Sequence, residues 1–505
     1  MQTGVSSEKV GKRPSTSGLL ISAGLLLLLI VFWAFIFSTR LVPPLYLAAG
    51  CAVSAVLVAG VLWLTWGKSH RIRRVIGFIL AGISAVVCIV GGLMIGRAVH
   101  TVRQVTDTAL EHAIVAFYVE SDFAAETLND LEGETFGILA GLDRDNTDET
   151  LRQVAAEYEL TFPTEEYASL TALADALRNG EVSGIILNQA FLTLYEETSG
   201  YESFPEELRE LSAQKVEYVL ETSSQPEEST ESSDAEEDIT VDDFDQQVIT
   251  VLISGSDTRD NAIDQRGRSD VNIIARVNLV THKVLLVSTP RDYFVPLALD
   301  GNPEDKLTHA GIYGMDVLME TLENLYNIEI DYYFRVNFTG FIDIIDALGG
   351  IEVYSAYTFD TQQAKGYSFQ EGMNTMDGAA AKAFVQERYS FPDGDRQRGR
   401  NQLAVVEAVI RKALSPSILS GYLDILESVE SCIDTSVPYD LVADLVRWQL
   451  SENPQWEIES YSVNGSDAHS TTYSMNQSLY VMIPDESTVQ EAQDKLASVA
   501  EVIPE

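Results

Sequence analysis

Histidine, cysteine and basic residues are all scarce in this 505-residue chain, and each shortage removes a class of function. The six histidines are scattered, with no HExxH run and no His-Cys cluster, so zinc catalysis has no ligand set. Of three cysteines, Cys51 and Cys88 lie in apolar stretches and Cys432 stands alone far downstream, which leaves neither a disulfide framework nor a CxxC metal site. Any metal here should be a hard cation held by carboxylates. Lys and Arg number 33 against 76 Asp and Glu, a formal net charge of −43. A nucleic-acid binder needs a basic face to displace counterions, so nucleic acid is excluded as a partner.

What the chain does have begins with apolar length. Residues 19–38, 43–66 and 75–96 carry no charge and are each long enough to cross a bilayer as a helix. A buried core helix could explain one such run but not three in series. Lys9, Lys12 and Arg13 precede the first run, and Lys68, Arg71, Arg73 and Arg74 separate the second from the third, so these segments are expected to be cytoplasmic. The first connection carries only Arg40 and should face outward. Three spans then place everything after residue 96 outside the cell, which makes a multi-pass cell-membrane protein with a cytoplasmic tail (1–16), a three-helix anchor (17–97) and an extracellular bulk.

Beyond the anchor, 98–221 reads as a small α/β accessory domain. Thr135 to Ala140 and Ser183 to Leu187 are short strands, with amphipathic helices around Thr150 to Tyr158 and Ser169 to Asn179. Residues 222–245 are rich in Ser, Glu and Asp and form an acidic disordered linker. The last domain, 246–505, opens with the strand Val248 to Ile253, then Ser254 to Arg259, which puts Asp257 and Arg259 at the strand's carboxyl end, where open α/β sheets bind ligands. Further strands are expected at Val271 to Val277 and Val284 to Ser288, beside Arg268, Asp270, Arg291 and Asp292. Helices are expected from His309 to Tyr326, Phe338 to Leu348 and Arg400 to Leu414. Asp343 and Asp346 are expected to face solvent, and His309 to be a hydrogen-bonded structural residue.

One stretch concentrates charge against the acidic background. Between Arg388 and Arg400 lie four arginines, Arg388, Arg396, Arg398 and Arg400, with Asp393 and Asp395 among them. Arginine stays protonated and presents a planar fork of donors that fits phosphate oxygens. The expected helix start at Arg400 and Gln402 adds free backbone N–H groups, so the stretch reads as a phosphate or pyrophosphate site.

In Ser254 to Arg259, Arg268 to Ile273, Ser288 to Asp292, Lys306 to Ala310, Asn337 to Gly350 and Glu387 to Gln402, the chain resembles the LytR-CpsA-Psr (LCP) glycopolymer transferases, most closely streptococcal CpsA-like members. The resemblance covers roughly half the chain, and several ordered motifs are more specific than one fingerprint. It implies an α/β/α LCP domain with a central mixed sheet and a hydrophobic pocket for a polyprenyl chain. It also implies Mg2+, with Mn2+ as a substitute, beside the lipid's pyrophosphate. The implied activity is phosphotransferase-type transfer of a glycopolymer, capsular polysaccharide or a related anionic polymer, from a polyprenyl-pyrophosphate carrier to peptidoglycan in a Gram-positive wall, with capsule assembly proteins as further partners. Carried onto this chain, Asp257 and Asp270 match metal-side aspartates, and Arg268, Arg291, Arg388, Arg398 and Gln402 match pyrophosphate contacts. Arg259, Arg396 and Arg400 join them as candidate pyrophosphate ligands. Many members carry Arg-x-Arg where this chain reads Gln386-Glu387-Arg388, so a neutral amide replaces one expected phosphate contact.

Breaking a sugar-phosphate bond with a pyrophosphate leaving group requires neutralising charge on the departing oxygens, which arginines and a divalent cation do electrostatically. The candidate catalytic residues are Asp257, Asp270, Arg388 and Asp395, with one of the aspartates accepting the acceptor hydroxyl's proton. Two other readings remain open: a lipid-pyrophosphate hydrolase with water as acceptor, and a non-enzymatic regulator or scaffold of polysaccharide assembly.

Overall fold

The computed structural model describes residues 16–39, 44–65, 71–106, 110–219, 244, 247–256, 265–415 and 432–501. The linker lies outside the described residues apart from Phe244, as do Asp257 and Arg259. The chain separates into two units.

The first unit holds α1 (Thr16–Ser38), α2 (Pro44–Thr65), α3 (Arg71–Thr106) and the helix Tyr439–Glu452. Within α1 to α3, Leu19–Ser38, Tyr46–Thr65 and Arg71–Arg97 are long and apolar enough to cross a membrane. Their outward side chains, such as Leu20, Val56 and Leu93, are bare, as lipid-facing residues are. Small residues allow the helices to approach. The Trp33 indole occupies the space a side chain at Gly50 would need, and its Nε1 donates to Ser54 Oγ at 2.9 Å.

Among the described residues, the second unit is built on two large sheets, with four two-stranded ribbons beside them. In the first, β1 (Leu110–Glu120), β2 (Phe136–Leu139), β3 (Thr164–Tyr167), β4 (Gly184–Asn188) and β5 (Leu208–Val219) follow the order β3-β2-β4-β1-β5. β2 runs parallel to β3 and β4, while β1 is antiparallel to β4 and β5. The crossovers α4 (Arg144–Tyr158) and α5 (Leu170–Arg178) cover opposite faces, with Val154 packing beside Phe117, Phe136 and Phe162, and Leu173 beside Leu139 and Ile185. Two one-turn helices follow, α6 (Leu192–Tyr195) and α7 (Phe204–Glu207).

The second sheet is built on β6 (Val248–Ser256), β7 (Ser269–Asn278) and β8 (Lys283–Thr289). Short strands β9 (Phe294–Pro296) and β10 (Glu304–Lys306) pair beside it. β11 (Tyr332–Asn337) joins the sheet, and β12 (Ile351–Ser355), β13 (Phe359–Asp360), β14 (Ser368–Phe369) and β15 (Gly372–Met376) form two small ribbons. β16 (Ile433–Thr435) and β17 (Glu457–Ser462) complete the order β16-β11-β6-β7-β8-β17, which is mixed because β11 parallels β6 and β17 parallels β8. Period-two alternation divides each strand between two cores. On β7 and β8, Ile274, Leu285 and Val287 face α8 (Leu307–Tyr313), α9 (Met315–Tyr326) and the helix Glu486–Ala500. Ile273, Ala275, Val284 and Leu286 face α12 (Asp395–Ala413), which follows α10 (Phe338–Ala347) and α11 (Gly378–Gln386). The result is the expected α/β/α arrangement around a mixed sheet.

Two local expectations are corrected. The helix expected from His309 to Tyr326 is broken at Gly314, whose φ of +139° suits glycine and whose missing Cβ leaves room for Arg266 and Asp316. The helix expected at Arg400 begins at Asp395, after Gly394 at φ +53°, so Arg400 and Gln402 fall beyond the first turn, which carries Asp395 instead. Asp346 is exposed as expected, and its carboxylate also accepts from Gly378 N at 2.7 Å at the start of α11.

The two sheets share packing. Ile312, Met475 and Leu479 belong to the same apolar cluster as Leu173, Phe191 and Leu194. Glu111 of β1 is buried, receiving Arg335 Nη1 at 2.9 Å, Met315 N at 3.1 Å and Arg266 Nε at 3.3 Å, while Arg335 Nη2 also reaches Asp434 Oδ2 at 2.6 Å.

Candidate functional site

The register of β6 against β7 passes from Gly255 opposite Val271 to Ser256 opposite Ser269, so Asp270 is the extra residue of a β-bulge. A bulge bends the strand and re-aims its side chain. Asp270 Oδ1 accepts from Arg291 Nη1 at 2.7 Å and from Thr308 Oγ1 at 3.2 Å. Arg291 follows the end of β8, and its other Nη meets Glu197 Oε1 at 3.1 Å. Burial opposes the Arg291 charge, but Asp270, Asp292, Glu197 and Asp395 outweigh it and raise its pKa.

α12 lays Leu403, Val406 and Ile410 on the sheet and presents its first two turns along the rim. A cavity of about 420 Å³ is lined there by Asp270, Arg291, Asp395, Arg396, Arg398, Arg400 and Gln402, among others. Arg398 is paired with Asp395. Its pKa is lowered, burial first, with Arg291 and Arg388 adding to the effect against Asp395 and Asp270. Arg396 donates to Asn464 Oδ1 at 2.8 Å and Gly465 O at 2.7 Å, and Arg400 to Gln397 Oε1 at 2.9 Å and Asp393 Oδ2 at 2.7 Å.

A second cavity, about 290 Å³, opens between the sheet and α10 to α12. Ile253, Val271, Phe338, Phe341, Val385 and Val406 make it largely apolar, and Asp270, Arg398 and Gln402 belong to its wall as well. The charged and apolar spaces therefore meet at three side chains.

Of the candidate residues, the fold brings together Asp270, Arg291, Asp395, Arg396, Arg398, Arg400 and Gln402. Arg268 and Arg388 line neither cavity: Arg268 Nη1 lies 2.7 Å from Glu197 Oε1, and Arg388 Nη2 donates to the Tyr389 hydroxyl at 2.6 Å. Gln386 stands in the apolar wall. Glu387 beside it is buried, and its carboxylate collects the backbone N–H groups of Gln362, Gln363, Tyr389 and Ser390 at 2.6–3.2 Å, fixing the loop that carries Arg388. Burial pushes the Glu387 carboxyl up, but these four donors bring it below its ordinary value. His309 is fully buried and its Nδ1 lies 2.7 Å from Asp305 Oδ1, the hydrogen-bonded placement expected of it.

Among the described residues no group of three or more His, Cys, Asp or Glu side chains could hold a metal ion. Asp270 lines the cavity and has both its bonds on Oδ1, so its second carboxylate oxygen is a ligand type suited to a hard cation. Asp257 follows the last residue of β6, so a two-aspartate site would draw its second ligand from outside the described residues.

The sequence reading missed Glu197, and it named Asp292 and the motif from Lys306 without giving either residue a role in the site. Glu197 gathers Arg268, Arg291 and Lys306, the last at 2.9 Å, and Lys306 Nζ also lies 3.1 Å from Asp292. Burial raises the Glu197 carboxyl, but the three cations outweigh it and hold it at about 2. No local pattern marks Glu197, since its partners lie 71 to 109 residues away.

Comparison with known proteins places the chain in a family. A polyisoprenyl-teichoic acid–peptidoglycan teichoic acid transferase TagU of Enterococcus faecalis is 36% identical over 196 residues, 39% of this chain and 63% of the relative. Its counterpart in Bacillus anthracis is 35% identical over 198 residues, with the same shares. The chain thus spans somewhat less than two thirds of the length of these relatives. A solved structure titled as a transcriptional regulator from Enterococcus faecalis superposes at TM-score 0.42 and 28% identity, covering 50% of this chain and 88% of the other. That of B. subtilis TagU superposes at 0.40 and 28%, covering 51% and all of the other. The model of the LytR_cpsA_psr family matches residues 215–498, more than half of the chain and the whole region that builds both cavities, and the chain belongs to that family.

Proposed function

We propose that this protein is a membrane-anchored transferase that moves an anionic glycopolymer, a teichoic acid or a capsular polysaccharide, from a polyprenyl-pyrophosphate carrier to peptidoglycan outside the cell. The observation that carries the reading is the junction at Asp270, Arg398 and Gln402. A ligand with a phosphate head and an apolar tail would be gripped at both ends there. The relatives' names, which specify a polyisoprenyl-teichoic acid and peptidoglycan, support the same substrate classes. The charge of Lys9 to Arg13 and of Lys68 to Arg74 supports a cytoplasmic tail and an extracellular catalytic domain.

In this scheme Arg291, Arg396, Arg398 and Arg400 neutralise the charge that develops on the departing phosphate oxygens. Asp395 is paired with Arg398, so a phosphate that takes over the guanidinium frees the carboxylate to accept the acceptor hydroxyl's proton; Asp270 can do the same beside Arg291. Mg2+, or Mn2+, held by Asp270 and Asp257 would add Lewis-acid stabilisation of the same charge. Ile253, Phe338, Phe341 and Val406 would hold the proximal part of the polyprenyl chain.

The test is mass spectrometry of lipid extracted from the full chain purified in detergent, followed by assay with lipid-linked glycan and peptidoglycan. The reading expects bound polyprenyl pyrophosphate and glycan joined to peptidoglycan. Absence of the lipid, with no binding when it is added, overturns it. Free glycan without wall attachment would identify a hydrolase, and unimpaired attachment by Arg398→Ala would favour a regulator.

A further inference from the structure

Glu197 belongs to the module of the first sheet, yet its carboxylate lies among the cations of the second. It follows α6 on a turn held by Thr198, whose N–H donates to Tyr195 O at 3.0 Å and whose hydroxyl donates to Leu194 O at 2.9 Å. Its Oε1 meets Arg268 Nη1 at 2.7 Å and Arg291 Nη2 at 3.1 Å, and its Oε2 meets Lys306 Nζ at 2.9 Å. Glu197, Arg268 and Lys306 line neither cavity, whereas Arg291 lines the polar one. The carboxylate therefore does not occupy the phosphate's place. It anchors one Nη of Arg291 while Asp270 anchors the other.

Two anchored nitrogens fix the plane of a guanidinium, and a donor fixed before its ligand arrives loses less freedom on binding. Arg268, Arg291 and Lys306 all pair with Glu197, while Asp270 also pairs with Arg291 and Asp292 with Lys306. Deleting Glu197 removes the partner of one Nη of Arg291, which would then be free to reorient. We infer that Glu197 is a positioning residue for the anion site: the first module completes the site by holding Arg291 in register with Asp270. This rests on the phosphate-binding reading of the polar cavity.

The experiment is calorimetric titration of inorganic pyrophosphate into the full chain in detergent, for the wild type, Glu197→Ala, Arg291→Gln and the double variant. Glu207→Gln breaks the ion pair with Arg178 in the same module, remote from both cavities, and serves as the control. Wild type and the control should bind alike, and Glu197→Ala should weaken binding on the order of tenfold. Glu197→Ala should add less than about twofold in the Arg291→Gln background, because a residue that acts through Arg291 has nothing left to position. Glu197→Gln takes the place of the alanine variant if the latter does not fold. Equal or tighter binding by the Glu197 variant, or full additivity with Arg291→Gln, overturns the inference while leaving the anion site standing. Absence of pyrophosphate binding by the wild type overturns the site and the inference together.

Discussion

At the scale of single residues, the site is a balance of charges in which each arginine already has a carboxylate or an amide. Arg398 combines burial, one aspartate partner and a place in both cavity walls. Arg398→Ala should therefore weaken pyrophosphate binding by about tenfold or more, since hydrogen bonds to charged groups contribute about 1.5–3 kcal/mol each; calorimetry on the full chain measures this directly. Glu197 makes a pH prediction. Its folded carboxyl is held at about 2, below the ordinary glutamate value of about 4.3, so the folded state binds the proton more weakly than the unfolded chain. Its stabilising contribution is complete above about pH 4.5 and is lost as pH falls toward about 2. Melting temperatures at pH 7 and pH 3.5 should show a smaller acid-induced drop for Glu197→Gln than for the wild type.

At the scale of elements, two devices place the side chains. The bulge in β7 takes Asp270 out of the ladder, and α12 begins early enough to bring Asp395 and Arg398 to the rim. The start of α12 depends on Gly394, whose φ of +53° and ψ of −114° are sparsely populated by residues with a Cβ. Gly394→Ala should destabilise the first turn by about 1–3 kcal/mol. A thermal melt and a pyrophosphate titration of that variant should fall together, because Asp395, Arg396 and Arg398 all lie within the turn that frays.

At the scale of the molecule, the two sheets of the second unit are tied by a buried ion cluster. Glu111 stands between Arg266 and Arg335, with Asp434 on the far side of Arg335. Removing one partner of a buried pair leaves an uncompensated charge, so Glu111→Ala should cost about 3–5 kcal/mol. Denaturant unfolding of the full chain would show the loss. Lost stability together with retained pyrophosphate binding in the folded fraction would separate this cluster from the one around Glu197.

The sequence by itself determined the three apolar helices, because a charge-free run of about 20 residues is a local property. It also determined β2 and β4 of the first sheet and β6, β7 and β8 of the second, since buried β-branched runs mark them, but not the other strands, and it concentrated Arg396, Arg398 and Arg400 on one short stretch. Tertiary structure alone decided which of the candidates meet. Arg268 reads in sequence as a site arginine beside Asp270, yet the fold turns it to Glu197 and away from both cavities. The bulge at Asp270, the union of a charged with an apolar space at Asp270, Arg398 and Gln402, and the arrival of Glu197 among the arginines each depend on how separate elements pack. Periodicity and local charge specify an element and its faces, but the pairing of charges far apart in sequence is fixed only when the sheets and helices close around them.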